Sequence, residues 1–306
     1  MTIATAITSL SPARKWQTGR EVRLAARENA CTTPTAGLAP TYLQANLIIL
    51  PSKYARDFRD LCARNPVACP LIAESSSTGS FSHLKSHLPS ILDGQHIANP
   101  VDIRTDCPKY NVYRDGRLIV EGVTDIKRYW TEDHVAFAIG CSFSFESALA
   151  AAGLPTRHTI MGRNVPMYRT NIPLNPAGVF VGSNYVVSMR PYKKSEVERV
   201  RVVTRRYLPT HGECIAWGWD AVSQLGIESI DRPTWGDAPL TMDGRPLGEA
   251  TGDEEDVPLF WACGVTPQEA ILRTGLEGVV MSHSPGHMLL LDCKEDDVLV
   301  NFDSKL

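Results

Sequence analysis

Short continuous apolar runs punctuate the chain, and most of them are followed by a stretch with helical spacing. NLIIL at 46–50, CPLIAE at 69–74, VAFAIG at 135–140, NYVVSM at 184–189, LFWACG at 259–264 and MLLLD at 288–292 each read as a buried strand. Helical spacing is predicted over 20–28, 145–152 and 194–207. A further helix runs from a Ser52 cap to about Arg64, with Tyr54, Phe58 and Leu61 on its apolar face. The pattern changes to alternation at 108–122, where Tyr110, Val112 and Tyr113 precede Asp115-Gly116 and Leu118 to Val120 follow it, which predicts a β-hairpin. The Pro/Gly-rich stretch 32–44 and the Ser- and His-rich stretch 75–98 read as loops, the second with a short helix. Residues 241–256, polar, acidic and Gly-rich, read as an exposed loop. Strands that mostly alternate with helices predict an α/β fold: a mixed, largely parallel sheet with flanking helices, plus a smaller antiparallel α+β lobe carrying the hairpin, roughly 101–200.

Composition narrows the function classes. A net charge of −3 over 306 residues leaves no basic field for nucleic acid or an anionic membrane. The local run Arg199, Arg201, Arg205 and Arg206 lies in a helical pattern and reads as a solvated face. No apolar run approaches the roughly 18 residues of a membrane span. Eight cysteines without a CxxC pair read as reduced thiols. Residues 1–19 read as a disordered tail and the protein as cytoplasmic. The Ser/Thr/Ala-rich start, free of acidic residues, leaves a mitochondrial leader as the alternative.

Several segments carry candidate chemistry. GRNVPMYRTN (162–171) reads as an ordered loop in which Arg163 and Arg169 suit carboxylates, while Asn164, Tyr168, Thr170 and Asn171 supply polar contacts. VDIRTDCPKY (101–110) alternates Asp102, Arg104 and Asp106. On a strand these share one face, with the carboxylates about 13–14 Å apart, as a possible acid/base set or a structural charge ladder. His283 and His287 are four apart, but Pro285 and Gly286 break any helix that would turn the pair into a metal motif, so they read as proton carriers, substrate-orienting groups or structural residues. No metal site is assigned. His211 before Gly212 is a weaker candidate of the same kind. Cys141 stands at a strand-to-helix turn, where a helix N-terminus lowers a thiol pKa. Ser142, Ser144 and Glu146 follow it. The stretches 139–154 and 261–276 share an order of events: buried strand, Cys beside Gly, Ser or Thr, then Glu, ending at Gly. In the second, Thr266 reads as an N-cap with Glu269 three residues on.

The stretches PTAGLAP (34–40), YLQANLIILP (42–51), RNPVACPL (64–71), DIRTDCPKYNVYRDG (102–116), VAFAIGCSFSFESALAAAGLP (135–155), GRNVPMYRTNIP (162–173), VVSMRP (186–191), VPLFWACGVTPQEAI (257–271) and HSPGHMLLLD (283–292) together resemble the D-glutamate cyclase family. They follow the family's order and spacing over roughly 20–293. The family usually has Gly where Thr33 and Thr41 stand, and its 241–256 loop is shorter. The resemblance implies one catalytic unit of two intertwined lobes over 20–306, a hydro-lyase converting D-glutamate to 5-oxo-D-proline and water or the reverse, and an amino-acid substrate as partner. It brings no agreed catalytic set. The lactamisation needs a carboxylate anchor, proton carriers and an oxyanion donor. Arg163 and Arg169 suit the first. His287, His283, Asp102, Asp106 and Glu146 suit the second. Asn164, Asn171 and N–H groups near Ser142 or Thr266 suit the third. No step requires a redox or nucleotide cofactor, although a divalent metal could replace an arginine as carboxylate clamp. A homodimer is compatible with all of this. Two other readings stay open: an amidase with Cys141 as nucleophile, and a non-catalytic dicarboxylate-binding protein.

Overall fold

The computed structural model describes residues 16–250 and 256–300. The expectations for the N-terminal segment therefore fall mostly outside the described residues, and so does 251–255 of the acidic loop. Within them the chain opens on helix α1 (Gly19–Arg27), fixed by Thr18, which accepts from Glu21 N–H while the Glu21 carboxylate reaches back to the cap.

The first sheet takes β1 (Tyr42–Pro51), β2 (Leu71–Ser75), β3 (Leu84–Ser86), β4 (Tyr110–Arg114), β5 (Arg117–Val123) and β6 (His134–Gly140). The chain then builds a second sheet from β7 (Met167–Pro173), β8 (Asn184–Lys193), β9 (Ala216–Trp217) and β10 (Asp256–Ala262). It returns to the first sheet with β11 (Val279–His283) and β12 (Leu289–Lys294). The order is β3-β2-β6-β1-β11-β4-β5, with β12 also on β1, and β7-β8-β10-β9 in the second sheet.

Every strand pair in both sheets is antiparallel. This corrects the expected mixed, largely parallel sheet with flanking helices. Strand β1 shows why the pattern misled. Leu43, Leu47 and Ile49 enter one core, while Ile48 and Leu50 enter another on the opposite face. A central antiparallel strand covered on both sides carries the same unbroken apolar run as a parallel one. The second face is covered by α2 (Ala55–Arg64) and α7 (Val265–Thr274). Short helices α3 (Glu146–Ala151), α4 (Arg157–Ile160), α5 (Val197–Thr204) and α6 (Asp220–Gln224) join or pack on the second sheet.

Four local expectations change. The 162–171 segment is not a loop throughout, since β7 begins at Met167 and pairs with β8. Residues 101–110 form no strand before Tyr110; Asp106 N–H closes a turn on Asp102 O at 3.0 Å. Ser52 does not cap α2, because its hydroxyl bonds Asp133 within a separate turn, Ser52–Tyr54. Thr266 lies inside α7 rather than capping it, and its hydroxyl bridges to the Val186 backbone on β8. The hairpin at Asp115-Gly116 forms as expected. All eight cysteines are buried and none forms a disulfide among the described residues, and among those residues no helix is long and apolar enough to cross a membrane.

Candidate active site

The two similar stretches, 139–154 and 261–276, meet at the junction of the sheets. After β6 the turn Ser142–Phe145 leads into α3, and after β10 Cys263-Gly264 leads into α7. Cys141 and Cys263 share one apolar cluster with Phe143, Met167 and Met288. Alternation along β1 places Gln44 and Asn46 on the face that carries Ile48 and Leu50. Asn46 Nδ2 donates to Gly140 O at 3.0 Å, and a Cβ on Gly264 would lie 1.8 Å from that nitrogen. Only glycine lets the α7 turn come that close.

Behind the first turn sits a buried charge cluster. Arg190, on β8, is 0% exposed; its Nη2 lies 2.5 Å from Glu146 Oε1 and 3.1 Å from Ser142 Oγ, and its Nη1 donates to Ser188 Oγ at 3.1 Å. His158 Nε2, from α4, lies 3.2 Å from the same Glu146 oxygen, and its ring stacks on Phe143. Burial pushes the Glu146 carboxyl up, but His158 and Arg190 outweigh it and hold it down to about 2. Glu146 is thus a fixed anion. Cys141 goes the other way: burial pushes its thiol up to about 12, opposite to the lowering expected of a helix N-terminus. The chain leaves Cys141 in a four-residue 3-10 turn, which has too few aligned peptides to offset that burial.

The 283–288 loop supplies imidazoles. His283, in β11, is buried, with Nδ1 between the Leu47 backbone and Gln268 Nε2, the latter at 3.0 Å. Desolvation lowers it to about 4, so it is neutral at pH 7. His287 Nδ1 faces Pro285 O at 2.9 Å and therefore carries the ring proton. Its Nε2 is buried and reaches no hydrogen-bond partner among the described residues. Burial also lowers the His287 pKa, partly opposed by nearby backbone carbonyls. Asn164 Nδ2 reaches the same loop, 3.7 Å from where a Cβ on Gly286 would lie. Arg163 donates through Nη2 to Ala238 O at 3.1 Å, while its Nε is buried without a hydrogen-bond partner among the described residues.

The remaining candidates sit elsewhere. Arg27 grips Asp106 with two bonds of 2.9 Å, docking α1 on the sheet, and Arg104 lies on Asp102 at the same distance. Both carboxylates are thereby engaged in holding one turn. Tyr168 donates to Ile230 O in the core of the second sheet. Arg169 pairs with Glu269 at 2.7 Å, Thr170 donates to Tyr185 O at 2.9 Å, and Asn171 to Gln224 O at 3.1 Å. Ser144 Oγ accepts from Gln44 N–H at 3.0 Å. Among the described residues no three His, Cys, Asp or Glu side chains converge as a metal set.

Comparison with known proteins gives this junction a context. A sequence model of D-glutamate cyclase matches residues 135–292, which run from β6 through β12. A protein of Bordetella petrii is 46% identical over 90% of this chain and 94% of its own, and one of Rubrobacter xylanophilus is 46% identical over 90% and 95%. A protein of Schizosaccharomyces pombe is 41% identical over 89% and 83%. All three bear the name "Putative hydro-lyase". The chain belongs to the D-glutamate cyclase family. The family match contains both strand-to-helix turns, Arg190 and both imidazoles, whereas Asp102, Arg104 and Asp106 precede it. A solved nitrogen repressor-like protein of Methanococcus jannaschii aligns with a TM-score of 0.37 at 9% identity.

For this member of the D-glutamate cyclase family, sequence reasoning missed Arg190 and His158. Arg190 had a signal: a guanidinium in an otherwise apolar strand, VVSMRPY, needs a buried anion. His158 had none, because its partner lies twelve residues back across a turn. Glu295 was also missed. It is 5% exposed, accepts from Ser147 Oγ and lines the same cavity of about 190 Å³ as Glu146, between the 37–44 loop and α4.

Proposed function

We propose that this protein is a lactamising hydro-lyase that interconverts D-glutamate with 5-oxo-D-proline and water, with His287 as the proton carrier. The observation that carries this reading is the His287 ring: its tautomer is set by Pro285 O, burial keeps it neutral at pH 7, and its Nε2 has no hydrogen-bond partner among the described residues. Ring closure joins the substrate nitrogen to its own γ-carboxyl carbon and expels one oxygen of that carboxylate. Two protons leave nitrogen and both end on that oxygen. One imidazole that accepts and returns a proton in turn balances the reaction. Holding the chain folded supplies much of the acceleration. The Asn164 amide stands by the same loop, and Arg163 lines a pocket with it; they suit the oxyanion and the α-carboxylate. Glu146, engaged by Arg190 and His158, holds the Ser142–Glu146 turn on the second sheet. No step calls for a redox or nucleotide cofactor.

The test is to incubate the purified protein with D-glutamate, L-glutamate and each 5-oxoproline, with and without divalent metal, and to follow interconversion by chiral chromatography. Turnover confined to the D pair is expected. His287→Gln should lower kcat on the order of 10²–10⁴-fold with its melting temperature kept, while Cys141→Ala should remain active. Saturable binding without turnover of any of the four would replace the enzyme reading by that of a dicarboxylate-binding protein.

A further inference from the structure

We propose that Thr35 and Gln44 form a positioning pair that holds His287 against the Ser142–Glu146 turn; this rests on the proton-carrier role argued above. Thr35 is 0% exposed, in the loop ahead of β1. Its N–H donates to Gly286 O at 2.8 Å, and its hydroxyl oxygen accepts from Met288 N–H at 3.1 Å. One residue thus grips the backbone on both sides of His287, from more than 250 positions away in sequence. The hydroxyl faces two acceptors, Gln44 Oε1 at 2.8 Å and Gly286 O at 3.1 Å, and Gln44 Nε2 returns a bond to Thr35 O at 3.2 Å. Gln44 N–H then donates to Ser144 Oγ at 3.0 Å, inside the turn that delivers Glu146.

The bonds form a continuous path from the imidazole loop to the carboxylate turn, and every polar group along it is buried. In such surroundings each bond is expensive to leave unmade, so the path resists being broken. Packing alone would be served by valine, which has the shape of threonine without the hydroxyl. The hydroxyl is what fixes the height of the 285–288 loop, and with it the direction of His287 Nε2.

The experiment compares Thr35→Val, which deletes the hydroxyl, with Thr35→Ser, which keeps it. For each, the His287 ring nitrogens are followed by ¹⁵N NMR across pH, beside kcat and KM for D-glutamate and the melting temperature. Thr35→Val is expected to shift the His287 nitrogen signals and titration and to lower kcat on the order of 10–100-fold with KM little changed. Thr35→Ser should restore both to near wild type. A folded Thr35→Val whose His287 signals and titration match wild type overturns the proposal. Shifted His287 signals with kcat intact uphold the positioning and overturn the catalytic role of His287 instead. If the wild type turns over no substrate, the NMR comparison still decides. Should Thr35→Val not fold, Gln44→Met, which leaves the Gly286 and Met288 bonds in place, is expected to give the same shift at smaller amplitude, and no shift there refutes the pair.

Discussion

At the scale of single residues, the loop ahead of β1 shows what one side chain can report. Thr41 has φ +72°, in the left-handed region where a β-branched residue clashes with its own backbone. Glycine takes that conformation freely. Thr41→Gly should therefore raise stability by roughly 1 kcal/mol despite the added freedom of the unfolded chain, read as a higher urea midpoint at unchanged m. A lower midpoint would mean that the Thr41 side chain makes contacts worth more than its strain. The same scale shows what the sequence could say about the site. Glu146 stood out as an acid in a strand-to-helix turn and His287 as an imidazole beside a helix-breaking Pro-Gly. Asp102 and Asp106 stood out equally, because alternation is indistinguishable from a turn until the arginines that bind them are placed. Arg27 and Arg104, which settle that question, occupy helix and loop positions that look exposed in the sequence.

At the scale of elements, strand positions were legible and their direction was not. Apolar runs located β1, β2, β6, β8, β10 and β12 to within a few residues. Parallel pairing was inferred from alternation with helices, yet α3 and α7 do not cross over to a neighbouring parallel strand. Each instead carries the chain to the other sheet: α3 leaves β6 and packs on the second sheet, and α7 leaves β10 and packs on the first. The pair Glu146–Arg190 ties α3 to β8, and Glu269–Arg169 ties α7 to β7. Both carboxylates are largely buried, but Arg190 is fully buried whereas Arg169 is half-exposed and Glu269 has a second arginine, Arg273, so their energetics differ. Arg190→Leu leaves Glu146 charged and buried, which should cost about 3–5 kcal/mol. Arg190→Leu with Glu146→Leu should recover most of that loss, because two apolar side chains satisfy each other. Arg169→Leu should cost less, because Arg273 Nε, 3.9 Å away, still faces the Glu269 carboxylate. Urea unfolding of the three variants checks the ordering. Equal losses at Arg190 and Arg169 would mean that burial does not set the value of these pairs.

At the scale of the whole molecule, four buried groups give stability a predictable dependence on pH. Desolvation lowers His211 and His283 to about 4, below their ordinary 6.5. The unfolded chain therefore binds more protons there, and the stability they supply is complete above 6.5 and lost as pH falls through 4. Glu146, held at about 2 against 4.5, contributes stability above 4.5 that is lost toward 2. Glu295 has the opposite sign. Burial raises it to about 7 against the Ser147 bond that opposes the rise, so its folded form keeps a proton that the unfolded chain releases. Its contribution is complete below 4.5 and lost as pH rises through 7. Between 6.5 and 4.5 two histidines outweigh one glutamate, which makes stability decline gently on acidification. Below 4.5 Glu146 adds to the loss and the decline steepens. Glu295→Gln isolates the opposing term by removing a carboxylate that is costly to ionise. At pH 8 the variant should be more stable than wild type by on the order of 1–3 kcal/mol, with the difference shrinking to near zero by pH 4.5. Urea titrations at pH 4.5, 6 and 8 measure it, and a difference that stays constant across the three would show that Glu295 does not titrate in that window.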